Sequence, residues 1–297
     1  MRTTPPQLLL LGSIASVQFG SAFADRLFDR AGPAGVVLLR LLLAAIVLNL
    51  ITRPSLLGRS RRDLMFVVAF GLVLGTMNWS FYEAIDRLPL GVAVTVEFTG
   101  PLVVAVLGSR RALDAVWIVL AGGGVALLAV RGSHAGVTVL GVLLALAAAC
   151  CWALYIFLSK RVGAAFAKLD GLALAMLIGT LVAAPAGIVE GGGELLKPAI
   201  LAGGLGVAIF SSLLPYSLEI TALRRLTPAA FGLLQSLQPA VATLAGVIVL
   251  SQSVSLTLAI ALLMVVTASV GSTLAARRQA PVIPAPGQID PIGAGGQ

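Results

Sequence analysis

Apolar residues fill this chain in long runs separated by short polar breaks. The runs lie near 7–28, 33–52, 64–85, 88–108, 113–130, 138–159, 170–189, 199–222, 228–250 and 255–275. A helix rises about 1.5 Å per residue, so roughly 20 apolar residues cross a hydrocarbon core about 30 Å thick. Ten runs of about that length predict ten transmembrane helices. The breaks leave no room for a soluble domain. The tail, 280–297, is rich in Pro and Gly and reads as a disordered cytoplasmic extension.

Composition agrees with the pattern. The chain has 297 residues, 59% of them hydrophobic and only 11% charged, with a mean hydropathy of +1.04. Soluble domains carry about 25% charged residues. The bilayer is therefore a partner of the whole chain. A net charge of +8 would point to nucleic acid in a soluble protein. Here it reports topology, and no nucleic-acid partner is expected. Arg2, then Arg53, Arg59, Arg61 and Arg62, then Arg110 and Arg111, then Lys160, Arg161 and Lys168, then Arg224 and Arg225, then Arg277 and Arg278 all fall on one side of the ten-helix pattern. The other side holds only Arg26, Arg30, Arg87, Arg131 and Lys197. Basic residues mark cytoplasmic loops, so both termini are expected in the cytoplasm. A miscount by one helix would scramble this alternation. The segment Ala22-Phe23-Ala24 after the first run offers a competing reading, a signal-peptidase site. The length of that run and the internal symmetry described next speak against it.

The two halves of the chain resemble one another at an offset of 138 residues. Ala84-Ile85-Asp86-Arg87-Leu88-Pro89 falls on Ala222-Leu223-Arg224-Arg225-Leu226-Thr227, and Glu97-Phe98-Thr99-Gly100-Pro101 on Gln235-Ser236-Leu237-Gln238-Pro239. Five helices per half is an odd number, so the second half must lie inverted. The expected fold class is an all-α polytopic membrane protein: two inverted five-helix repeats, 1–135 and 136–279. Such repeats place a substrate site at their interface near the bilayer midplane.

Polar residues inside apolar runs are the candidates for chemistry. Glu97 falls near the middle of the fourth run, where a charge costs about 2.5–3.5 kcal/mol on insertion scales. Pro101 follows one turn later and removes a backbone hydrogen bond. A carboxylate beside a broken helix reads as a cation or proton site, or as a protonated acid bonded to a neighbouring helix. Gln235, Gln238 and Pro239 occupy the matching turn of the ninth run, to bind substrate or to tie helices together. Glu219 lies in the eighth run with Pro215 and Tyr216, either buried or snorkelling to the interface. Arg40 in the second run has a structural reading, paired with a carboxylate or with helix carbonyls. Ser13, Ser16 and Gln18 give the first run a polar face. Asn78, Trp79 and Tyr82, with Trp152 and Tyr155, supply polar and aromatic walls to a cavity, or belong to interface belts. Glu83, close to Asp86, belongs at the outer rim.

Other features exclude functions. Cys150 and Cys151 are adjacent and His134 stands alone, so no metal site or cofactor is expected. No HExxH, GxSxG, paired aspartates or P-loop is present, which speaks against an intramembrane enzyme and against an ATP-driven pump. Gly71 and Gly75 form a GxxxG pattern and Gly122, Gly123 and Gly124 are consecutive. Both patterns suit close helix packing, with homodimerisation as one outlet.

Several stretches resemble a known family. They are Met77-Asn78-Trp79-Ser80-Phe81-Tyr82, Leu88-Pro89-Leu90-Gly91-Val92-Ala93 running on to Glu97-Phe98-Thr99-Gly100-Pro101, Ser109-Arg110-Arg111, Cys151-Trp152-Ala153-Leu154-Tyr155, Leu214-Pro215-Tyr216-Ser217-Leu218-Glu219 and Gly271-Ser272-Thr273-Leu274. The chain resembles the drug/metabolite transporter superfamily, in its EamA group of ten-helix carriers. It is most similar to the branch of inner-membrane exporters of the threonine/homoserine type. The resemblance covers nearly everything but the tail. It implies proton-driven efflux of small amino acids by alternating access, with an amino acid and protons as partners. Carriers of aromatic amino acids, drugs or other metabolites in the same superfamily are the alternative. The chain departs from that branch in two places. The branch has an acidic residue just before the ninth-span proline, where this chain has Gln238, which puts a proton role at that position in doubt. Glu83 stands where the branch is apolar.

Overall fold

The computed structural model describes residues 4–55, 58–107, 115–131, 137–166, 169–223, 225–226 and 228–277. The tail 280–297, Arg110, Arg111, His134 and the boundary between the repeats at 135/136 lie outside these residues. Among the described residues there are thirteen α-helices and no strand. They are α1 (Pro6–Asp25), α2 (Phe28–Thr52), α3 (Arg61–Ile85), α4 (Leu90–Glu97), α5 (Thr99–Leu107), α6 (Ala115–Arg131), α7 (Val139–Ala165), α8 (Asp170–Gly191), α9 (Pro198–Ala208), α10 (Leu214–Leu223), α11 (Pro228–Gln235), α12 (Gln238–Leu250) and α13 (Leu256–Arg277). Eight helical segments are long and apolar enough to cross a membrane, and Leu90–Val104 and Ala115–Val130 are shorter apolar helices. Together they make the ten passes expected from the apolar runs.

Proline explains why thirteen helices make ten passes. It lacks the N–H that would bond the carbonyl four residues back, and its ring crowds that carbonyl. Pass four breaks at Phe98, where α4 gives way to α5, three residues before Pro101. Pass nine breaks at Ser236 and Leu237, and Pro239 lies in the first turn of α12. Pass eight does not break but widens, through a π-turn at Ile209–Leu213 just before Pro215. In passes four and nine the carbonyls deprived of a donor belong to Glu97 and Gln235. Pass two starts in the same way. Gly32 has φ 67° and ψ 157°, Pro33 restarts the helix, and the Ala34 N–H donates to Glu190 Oε2 at 2.9 Å. The helix thus restarts at Pro33, where the apolar run starts.

The helices interlock across the sequence halves. α2 packs on α8 and α9, α3 on α7 and α8, α1 on α10 and α12, α4 on α12, and α6 on α13. Small residues set the closest approach. A Cβ on Gly75 would stand 2.8 Å from the Gly179 Cα and its carbonyl oxygen. Gly71 faces Ala175 and Ile178 of the same helix. The GxxxG face of α3 is therefore occupied by α8 of the same chain and is not free to pair with a second copy. Gly124 is closed by α13 at Ala261 and Met264, while Gly122 has nothing within 4 Å. Cys150 is exposed on the outer surface of α7, and both cysteines are free. The signal-peptide reading would remove a helix that is built into the bundle: Ser13 donates to the Pro215 carbonyl at 3.1 Å and Ser16 to the Phe210 carbonyl at 2.6 Å.

Candidate functional site: a chamber at two broken helices

The breaks in passes four and nine open onto one chamber of about 160 Å³. Glu97, the last residue of α4, and Gln235, the last residue of α11, both line it. So do Gln18 from α1, Arg40 from α2, Asn78 from α3, Trp152 and Tyr155 from α7, Tyr216 and Glu219 from α10, and Gln238 at the start of α12. The structure thus gathers nearly all the polar residues singled out within apolar runs.

Glu97 is only 9% exposed, and no hydrogen bond or ion pair joins it to another described residue. Its carboxylate faces the chamber and has no hydrogen-bonding partner on a neighbouring described helix. The amides of the other break are linked instead. Gln18 Nε2 donates to Gln238 Oε1 at 3.2 Å, and Gln238 Nε2 donates to Gln235 Oε1 at 2.7 Å. Gln238 thus both faces the chamber and ties α1 to α11. Asn78 Nδ2 is satisfied by the Leu74 carbonyl of its own helix at 2.8 Å.

Arg40 is 8% exposed and is paired with no carboxylate among the described residues. Its Nε donates to Ser212 Oγ at 3.1 Å, its Nη1 to the Tyr82 hydroxyl at 3.0 Å and its Nη2 to the Ser211 carbonyl at 2.8 Å. The last bond has a local cause. Ser211 lies four residues before Pro215, so its carbonyl has lost its own helical donor, and the guanidinium replaces it. Of the two structural readings for Arg40, helix carbonyl and hydroxyl partners are the ones realised.

Two expectations are corrected. Tyr82 is fully buried and lines neither cavity. Arg40 stands between it and the chamber, and its ring packs against Phe28 and Phe81. Trp79 is likewise not a cavity wall: its indole N–H donates to Glu83 Oε1 at 3.2 Å, and Glu83 pairs with Arg87 at 2.6 Å. Ser21, Ser211 and Ser212 escaped notice in the sequence, since serine is common in membrane helices. Serines four and three residues before a proline are the signal that could have found the last two.

A second cavity of about 650 Å³ shares Trp152, Tyr155, Tyr216, Glu219 and Gln235 with the chamber and extends to Lys160 and Phe166. Glu219 therefore faces the passage between them rather than snorkelling. Pro101 lines this vestibule, and Pro239 is buried behind the second break. The vestibule leads toward the face that the loop charges assign to the cytoplasm. At the opposite end the helices are tied together. The Leu90 N–H donates to Gln252 Oε1 at 3.0 Å, and Arg26 donates to the Val249 carbonyl.

Comparison with known proteins places this geometry. The threonine/homoserine exporter RhtA of Salmonella typhimurium (strain LT2) is 41% identical over 277 residues, which is 92% of this chain and 93% of that protein. RhtA of Escherichia coli (strain K12) is 40% identical over 280 residues, covering 93% and 94%. A solved crystal structure matches with a TM-score of 0.59 at 23% identity over 95% of this chain and 100% of its own, a likeness of fold alone. The profile of the EamA-like transporter family matches residues 139–274, from the start of α7 into α13. The chain belongs to the EamA-like transporter family and is a polytopic membrane transporter, not an enzyme.

Proposed function

We propose that this protein exports small amino acids of the threonine/homoserine type across the inner membrane in exchange for protons. The observation that carries the proposal is Glu97, an unpartnered carboxylate at the end of a broken helix, facing a chamber whose other polar walls are amides, phenols, serines, one arginine and a second carboxylate, Glu219. The ammonium of a substrate and a proton compete for that carboxylate. Because one excludes the other, inward protons and outward amino acid are exchanged rather than co-transported. A chamber of about 160 Å³ lies below the roughly 300–1,000 Å³ of sites for drug-sized ligands. It therefore favours a small passenger. The vestibule is within the drug-sized range, but a passenger must still cross the chamber.

Alternating access follows from the same features. The tied end closes the chamber on one face while the vestibule serves the other, and the paired breaks of passes four and nine support two inverted repeats, 1–135 and 136–279, with both termini cytoplasmic. A zwitterion carries no net charge, so the proton supplies the work. One charge crossing 100 mV yields about 2.3 kcal/mol. At about 1.4 kcal/mol per tenfold, one proton sustains roughly a fifty-fold gradient, enough to relieve overflow of a metabolite. The test is purified protein in liposomes loaded with labelled threonine or homoserine. Release should accelerate when a proton gradient is imposed and should fall to the leak rate with an uncoupler. Release indifferent to the gradient overturns the coupling, and no release of either compound from folded protein overturns the substrate class.

A further inference from the structure

The chamber contains a second buried charge that proton exchange does not use. Of the five N–H groups of a guanidinium, Arg40 commits three: one at Nε, one at Nη1 and one at Nη2. One N–H on each terminal nitrogen remains, and Arg40 lines the chamber. Three residues that line the chamber also carry a buried polar atom with no partner among the described residues: Gln18 Oε1, Ser21 Oγ and Ser211 Oγ. Buried donors and acceptors are rarely left unsatisfied. No ion pair joins Arg40 to Glu97, although both line the chamber. The site therefore presents separated positive and negative groups, a dipole complementary to a zwitterion.

We propose that Arg40 binds the α-carboxylate of the passenger while Glu97 binds its ammonium, so that the chamber selects free α-amino acids and rejects amines or amides lacking the carboxylate. The two remaining N–H groups suit the two oxygens of a carboxylate. The three bonds already made hold the guanidinium fixed, so little ordering is needed when the passenger arrives. The inference rests on the amino-acid reading above but not on proton coupling.

The experiment measures binding, which needs no gradient. Purified protein in detergent is titrated with threonine and with threoninamide, below the pKa of the amide's amine, and thermal stabilisation reports affinity. The amide should bind the native protein roughly ten- to hundred-fold more weakly, the size of a charge-assisted bidentate contact. In Arg40→Gln the two ligands should bind alike, because threonine alone loses its anchor. In Arg40→Lys, which keeps the charge without the fork, discrimination should fall to an intermediate ratio. Equal binding of amide and acid by the native protein overturns the proposal even if neither variant folds. Weakened binding of both ligands with their ratio preserved in either variant also overturns it, since that is the mark of a merely structural arginine. Retained preference for the acid, with export indifferent to the proton gradient, would leave this inference standing and remove only the coupling.

Discussion

Replacing Glu97 by glutamine separates what the carboxylate costs from what it does. The amide is nearly isosteric, and Glu97 is hydrogen-bonded to no described residue, so the change orphans no partner. A charge at mid-bilayer depth costs about 2.5–3.5 kcal/mol, and the neutral amide avoids most of that. The melting temperature in detergent should therefore hold or rise by a few degrees. Transport should change in the opposite sense. Without a titratable group at the break, outward threonine flux is no longer tied to inward protons. At 100 mV the steady-state ratio should fall from roughly fifty-fold to about one, while downhill exchange persists. The assay is the accumulation ratio of labelled threonine across proteoliposomes at a clamped potential, with Glu219→Gln run beside it. Uphill export by Glu97→Gln at the full native ratio refutes the reasoning. Loss of coupling in Glu219→Gln alone moves the proton site into the passage between chamber and vestibule.

Three further outcomes are expected. Gly75→Val should destabilise by more than the ~1–3 kcal/mol of ordinary overpacking, because the new Cβ falls 2.8 Å from Gly179 backbone atoms, whereas Gly122→Val, which meets nothing within 4 Å, should leave the monodisperse peak in size-exclusion chromatography unchanged. Gln252→Ala orphans the Leu90 N–H, a loss of about 1–3 kcal/mol. It should raise the rate at which an impermeant thiol reagent, added from outside, labels a cysteine placed at Gln18 in a cysteine-free background. Trp152→Ala removes a wall common to both cavities, so competition by amino acids with large side chains should gain relative to threonine, by roughly tenfold.

The sequence disclosed most where local chemistry decides. Proline lacks a donor wherever it occurs, so Pro101 and Pro239 announced their breaks, although the break at Phe98 lies three residues ahead of the proline. Glu97, Gln18, Gln235 and Gln238 were visible because a polar side chain in an apolar run needs a reason. What could not be read was which helices touch. In water an apolar stripe identifies the buried face of a helix, but lipid is as apolar as a neighbouring helix, so the pattern does not tell Leu74, which is buried, from Leu72, which is exposed. That is why the partner of the Gly71 and Gly75 face was unforeseen, and why Tyr82, on the same side of α3 as Asn78, was not recognised as a support for Arg40. The hold of Ser211 and Ser212 on Arg40 spans about 170 positions, and no spacing rule reaches that far.

The polar groups of α1 also set a schedule for biogenesis. Ser13 is paired with a carbonyl 202 residues downstream and Gln18 with an amide 220 residues downstream. At about 5–20 residues per second, the ribosome needs roughly 10–40 s to supply them. Until pass eight emerges, the first helix waits with its polar face unmatched, held by the insertion machinery or by water at its end. A nascent chain arrested before Pro215 should remain crosslinkable to the translocon through α1, whereas one extended beyond Gln238 should be released. The helix made first is among the last to be settled.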